Sequence, residues 1–125
     1  MANRILVVED SAPMRDFVVA ALESAGSFEV VAVESGIRAL QEAARGDWAA
    51  VVTDINMPDI SGIELIRMLR VQRALSDVRI LAISTDGATT DIERAMKAGA
   101  DSYLVKPFVA DDLVRSLAEI QAGTS

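Results

Sequence analysis

The sequence predicts an α/β fold: a doubly wound, parallel sheet of five strands with helices on both faces. Two observations carry this. Short unbroken runs of Val, Ile, Leu and Ala alternate five times with stretches whose apolar residues recur every three or four positions. The connections between these segments are short, so each strand, helix and following strand forms a right-handed crossover in one sheet. At 125 residues, 51% of them hydrophobic, the chain (1–125) is expected to be one domain with no output domain, burying roughly two thirds of its unfolded surface.

The first strand is Ile5-Leu6-Val7-Val8, a continuous β-rich run that ends in two acids, Glu9 and Asp10. Beyond Ser11 and Pro13, Met14, Phe17, Val18, Ala21 and Leu22 form the buried stripe of a helix that Gly26 is placed to cap. A second strand runs from Phe28 to Val33. Ser35 then caps a helix that turns Ile37, Leu40 and Ala44 inward and closes at Gly46. The third strand, Ala49 to Thr53, delivers Asp54 to the point where the apolar run stops and the loop Asn56-Met57-Pro58-Asp59 begins.

Ser61-Gly62-Ile63-Glu64 has the spacing of a capping box, so a third helix starts near Gly62, with Leu65, Ile66 and Leu69 buried and Arg67, Arg70 and Arg73 outward. Arg79 to Ile83 is the fourth strand, followed by the hydroxyls of Ser84 and Thr85. Thr90-Asp91-Ile92-Glu93 reads as a second capping box, opening a helix that Gly99 terminates. Ser102 to Val105 is a short fifth strand running into Lys106-Pro107. The last helix carries Leu113, Val114, Leu117 and Ala118 on one face. Val109 gives it no capping side chain, which leaves Asp111 and Asp112 to complement its dipole.

Composition excludes several chemistries. Without Cys there are no disulfides or thiolate sites, and without His there is no Ser-His-Asp machinery, no imidazole metal ligand and no phosphohistidine on this chain. The net charge is −7 and the twelve basic residues are scattered, which argues against direct binding to nucleic acid or to an anionic membrane. The amino-terminal residues run straight into a strand and no span approaches eighteen apolar residues, so a cytoplasmic chain is expected.

In a parallel sheet the carboxyl ends of all strands share one edge, and ligands sit in the crevice beyond it. That edge gathers Glu9 and Asp10, Asp54, Ser84 and Lys106. Three carboxylates in one place call for a cation, and hard oxygen donors without His or Cys select Mg²⁺. An aspartate is a competent nucleophile toward phosphorus once the charge developing on the transferred group is neutralised. Mg²⁺, the Lys106 ammonium and the Ser84 hydroxyl are suited to that task.

These residues, in this order and spacing, resemble the receiver domains of response regulators, close in size to the single-domain chemotaxis type. The resemblance covers the whole chain. It implies the flavodoxin-like strand order 2-1-3-4-5, with Asp54 as phosphoacceptor and Mg²⁺ held by Asp10, Asp54 and the main-chain carbonyl of Asn56, Glu9 acting through a metal-bound water. It further implies that Ser84 is the switch hydroxyl, that Lys106 pairs with the phosphoryl group across a cis Lys106–Pro107 bond, and that Tyr103 swings inward as Ser84 moves. Asn56 and Asp86 would tune hydrolysis. Thr85 departs from the very small residue usual at its position and is expected to slow access of donor and water. The implied donor is a histidine kinase or phosphotransfer protein, and the readout face is the fourth helix, fifth strand and last helix, met by an unknown downstream protein.

Three rivals stand beside this reading. A haloacid-dehalogenase-like phosphohydrolase needs a second acid two residues after its nucleophile, where this chain has Asn56, and an insertion long enough to form a cap. A flavodoxin-like cofactor module must cradle a phosphate in its first loop, where Glu9 and Asp10 would repel it. The third is a receiver-like interaction module that works without phosphorylation.

Overall fold

The computed structural model describes residues 3–26, 28–85 and 89–123. Five parallel strands, β1 (Arg4–Val8), β2 (Glu29–Val33), β3 (Ala50–Asp54), β4 (Arg79–Ser84) and β5 (Ser102–Val105), lie in the order β2-β1-β3-β4-β5. Helices α1 (Ala12–Ser24), α2 (Gly36–Ala43), α3 (Gly62–Arg70), α4 (Thr89–Ala98) and α5 (Ala110–Gln121) connect them, so the fold class and strand order are as expected. The three inner strands, β1, β3 and β4, are buried on both sides because alternate residues serve different cores. Ile5, Val7, Val52, Leu81 and Ile83 pack with α1 and α5, whereas Leu6, Val8, Val51, Ile80 and Ala82 pack with α2, α3 and α4.

The register sets the position of every site residue. Val8 pairs with Thr53, Asp54 with Ile83 and Ser84 with Val105, so β1, β3, β4 and β5 stop together at one edge.

Several side chains depart from the helical stripes expected of them. On α2 the buried positions are Gly36, Ala39 and Ala43, while Ile37 is exposed and Ala44 lies past the helix. The inward face is built of small residues, and at Gly36 there is no room for a side chain because Ile60, in the loop after β3, lies directly against it. Phe17 sits at the rim of α1, its ring 5.9 Å from that of Phe108. On α5 the stripe runs Leu113, Leu117 and Ile120, leaving Ala118 in solvent. Thr90 lies inside the first turn of α4 and is no cap. At α3, Ser61 Oγ accepts the amide of Glu64 at 3.1 Å, but the Glu64 carboxylate turns to Arg67.

The largest correction is Arg70, which turns inward. A short 3₁₀ turn (Arg73–Leu75) follows α3 and aims carbonyls back at it. The guanidinium donates to the carbonyls of Gly99 at 2.8 and 3.0 Å, Leu75 at 3.3 Å, Ser76 at 3.1 Å and Val78, and pairs with Asp101 at 3.0 Å. Asp101 also accepts the amide of Ile80 at 2.8 Å. One cation thus ties the end of α3, the start of β4 and the end of α4 at the edge opposite the acids. Arg70→Met strands several of these carbonyls and leaves the mostly buried Asp101 with only the Ile80 amide and Arg79, 3.6 Å away. It is expected to cost about 3 kcal/mol in urea unfolding. A loss below about 0.5 kcal/mol, the level of an ordinary surface change, contradicts that role.

Candidate functional site

β1 ends at Val8, yet the amide of Glu9 still donates to Val33 O at 3.1 Å, which holds Glu9 in line with the sheet. Its side chain is therefore buried while Asp10, one residue on, faces solvent. Ser11 serves this corner twice. Its amide donates to Glu9 Oε2 at 3.1 Å, and its hydroxyl caps α1 by accepting the amide of Met14 at 3.4 Å. Arg15, from the first turns of α1, donates to Glu9 O at 3.0 Å.

Asp54 is the last residue of β3 and only 3% exposed. The chain turns sharply beneath it. Ile55 N donates to Ile83 O at 2.9 Å, Gly62 N returns to Ile55 O at 2.7 Å, and Asn56 N donates to Asp54 Oδ1 at 3.2 Å, fixing the carboxylate's rotation. Just past β5, Lys106 N donates to Ser84 O at 2.8 Å, and the Lys106–Pro107 bond is cis, as the resemblance implied. The Lys106 ammonium lies 3.3 Å from Asp54 Oδ2, to which it donates, and 3.1 Å from Glu9 Oε1. The contact with Glu9 is an ion pair without hydrogen-bond geometry, leaving Glu9 Oε1 buried and without a donor among the described residues.

Burial pushes the Glu9 carboxyl above its ordinary value; the amide of Ser11 opposes this, the charge of Asp54 adds to it, and Lys106 opposes it too. For Lys106, burial alone would lower the ammonium, but Glu9 and Asp54 together outweigh it and raise it. Both groups therefore bind protons more tightly folded than unfolded. The stability Glu9 lends is complete below its ordinary 4.5 and is lost as pH rises through its higher folded value. Lys106 lends stability up to its ordinary 10.5, which is lost as pH passes its raised value. Glu9→Gln keeps an acceptor for Ser11 and never ionises. Without divalent ions its melting temperature is expected to exceed that of the wild type at pH 8, and the gap to close toward pH 4.5; an equal gap at both pH values contradicts this account.

Oxygens of Glu9, Asp10 and Asp54 lie within 4.8 Å of one another. A purely carboxylate donor set, with one buried oxygen lacking a hydrogen bond and an exposed acid at the mouth, fits a hard divalent cation such as Mg²⁺.

The site thus unites Glu9, Asp10, Asp54 and Lys106, with Ser84 fully buried at the end of β4 beside them in the sheet. At the rim, Asn56 Nδ2 donates to Thr85 Oγ1 at 3.2 Å, joining the loop after β3 to the end of β4. Tyr103 stands apart on β5 and is 42% exposed. Asp86 lies outside the described residues. Sequence reasoning missed Ser11 and Arg15 as supports of Glu9. It also passed over Asp59, whose carboxylate accepts the amides of Gly36 at 3.2 Å and Ile37 at 2.9 Å. The signal for Asp59 was faint, a turn-forming Pro-Asp pair with nothing to name its partner.

A family model for the response regulator receiver domain matches residues 5–118. Chemotaxis protein CheY1 of Helicobacter pylori is 33% identical over 123 residues, 98% of each chain. Among solved structures, the chemotaxis response regulator CheY4 of Vibrio cholerae superposes with a TM-score of 0.90 at 28% identity, covering 96% of this chain and 99% of that one. The receiver domain of a sensor histidine kinase from Pseudomonas aeruginosa gives a TM-score of 0.89 at 31% identity over 98% of this chain and 99% of its own, and holds a magnesium ion coordinated in its active site cleft. Among the described residues, no helix is long and apolar enough to cross a membrane.

Proposed function

The chain belongs to the response-regulator receiver family, and from that premise we propose that it is a cytoplasmic phosphorylation-operated switch whose phosphoacceptor is Asp54. The single observation that carries the reading is the contact of Lys106 with both Asp54 and Glu9, beside the exposed Asp10. A nucleophile, a fixed cation and a divalent-metal donor set share one crevice.

Asp54 Oδ1 is held by the amide of Asn56, and Oδ2 faces Lys106. An Asp54 oxygen attacks phosphorus of a donor phosphohistidine on a histidine kinase or phosphotransfer protein; the P–N bond breaks, its electron pair leaves with the imidazole, and an acyl phosphate forms on Asp54. Asp10, Asp54 and the carbonyl of Asn56 would hold Mg²⁺, with Glu9 acting through water. When bound, the ion neutralises charge on the transferring phosphoryl oxygens. Lys106 moves its pairing from Asp54 to the new phosphoryl group, and the Ser84 hydroxyl donates to the same group. Phosphorylation adds about 1.5 to 2 negative charges, which biases the positions of Ser84 and Tyr103. Met96 of α4, Tyr103 of β5 and Val109 at the start of α5 leave apolar surface in solvent, which suits a downstream protein binding the α4-β5-α5 face. Water then hydrolyses the acyl phosphate and resets the chain, which is a switch catalysing its own phosphorylation and dephosphorylation.

Asn56, Thr85 and Asp86 tune these rates, and the hydrogen bond from Asn56 to Thr85 closes the rim. Thr85→Ala opens it. Both phosphorylation by acetyl phosphate and loss of the phosphoryl group are expected to quicken by roughly threefold, the worth of one exposed hydrogen bond; unchanged rates for both contradict the gate.

Intact-mass analysis after incubation with acetyl phosphate tests the function. One added phosphoryl group that requires Mg²⁺ is the expected result. No adduct, with no Mg²⁺ uptake, makes the chain a phosphorylation-independent interaction module instead.

A further inference from the structure

The loop that follows the phosphoacceptor strand is fastened to a helix that contributes no residue to the acidic crevice. Asp59 bridges the first two amides of α2, Oδ1 taking Gly36 N at 3.2 Å and Oδ2 taking Ile37 N at 2.9 Å. Ser35 Oγ takes the third amide, that of Arg38, at 3.2 Å. The helix start is thus capped by two residues, one local and one twenty-odd positions away.

The next residue reinforces the joint. A Cβ on Gly36 would come within 2.3 Å of Ile60 Cγ1, so Ile60 occupies the space a side chain would fill. The amide of Ile37, partly offset by burial and helped by those of Ile60 and Gly36, holds the Asp59 carboxyl below its ordinary range. The loop 56–60 is then spanned between two fixed points. Ile55 is bonded to Ile83, and Asn56 to Asp54 Oδ1 and Thr85, at one end, and Asp59 with Ile60 is seated on α2 at the other.

We propose that Asp59 is a positioning residue for the metal site: by seating the loop on the start of α2 it fixes the main-chain carbonyl of Asn56 in the place from which it ligates Mg²⁺. The inference rests on the Mg²⁺ reading given under Proposed function. Mg²⁺ demands near-ideal octahedral geometry, so a ligand carried on a loosened loop binds it poorly. Residues that orient a ligand typically alter metal affinity by tenfold or more.

Mg²⁺ titration by calorimetry on the wild type, Asp59→Asn, Asp59→Ala and Ser35→Ala tests it, each variant checked by circular dichroism to be folded at the working temperature. Asp59→Ala is expected to weaken Mg²⁺ binding about tenfold. Asp59→Asn keeps one acceptor oxygen and is expected to fall between it and the wild type. Ser35→Ala removes the other cap of the same helix without touching the loop, and its affinity is expected to match the wild type. Unchanged affinity in Asp59→Ala overturns the inference and leaves the proposed function standing. Equal losses in Ser35→Ala and Asp59→Ala also overturn it, because the cause is then the stability of α2. A wild-type chain that takes up no Mg²⁺ overturns the function and this inference together.

Discussion

Asp54→Asn is expected to abolish phosphoryl uptake from acetyl phosphate, a loss of roughly a thousandfold or more, while the chain stays folded. An amide oxygen is too weak a nucleophile to form the acyl phosphate, and no other acid in the crevice is held as Asp54 is. Glu9 is buried and fixed by Ser11, and Asp10 lies in solvent and, among the described residues, makes no ion pair with Lys106. The fold tolerates the change because Asn retains the oxygen that accepts Asn56 N, and Lys106 keeps Glu9 at 3.1 Å. Stability is expected to move by about 1 kcal/mol or less, since one like charge leaves the cluster as one partner of Lys106 is lost. Modification of Asp54→Asn to the wild-type extent would move the acceptor elsewhere.

Gly62→Ala is expected to remove about 3 kcal/mol or more of stability, measured by urea unfolding. A Cβ at Gly62 would sit 2.1 Å from the carbonyl oxygen of Asp54 and 2.7 Å from Ile55 Cα, and both are backbone atoms that no rotamer change can move. The close approach also makes the 2.7 Å bond from Gly62 N to Ile55 O, which turns the chain from β3 into α3. Relief of the clash must therefore push α3 away from the strand that carries Asp54. Ser61→Ala, which only deletes the cap one residue earlier, is expected to cost about 1 kcal/mol. Equal losses in the two variants would mean that the contact at Gly62 yields easily.

The strand ends were legible because apolar runs announce where a buried strand stops, and in a parallel sheet that alone brings Glu9, Asp54, Ser84 and Lys106 together. Whole-chain alternation likewise conveyed the fold, and the strand order came with the family resemblance. What stayed hidden depends on groups distant in sequence. Arg70 falls at a helical position that suits an exposed arginine, and its inward turn is set by carbonyls at Leu75 to Val78 and at Gly99. Ile37 faces solvent, and the space beside Gly36 is filled by Ile60, a contact no periodicity within α2 contains. The spacing at Thr90 matches a capping box, yet α4 begins at Thr89. The hydrogen bond between Asn56 and Thr85 joins two residues already singled out as rate-tuning, but spacing does not reveal that they touch.

The most direct test of the central claim is to locate the modification. The chain is incubated with acetyl phosphate and Mg²⁺, reduced with borohydride, which converts an aspartyl phosphate to homoserine, and mapped by peptide mass spectrometry. Homoserine at position 54, dependent on Mg²⁺, is the predicted result. Homoserine at position 10 or at another acid, with Asp54 intact, would contradict it.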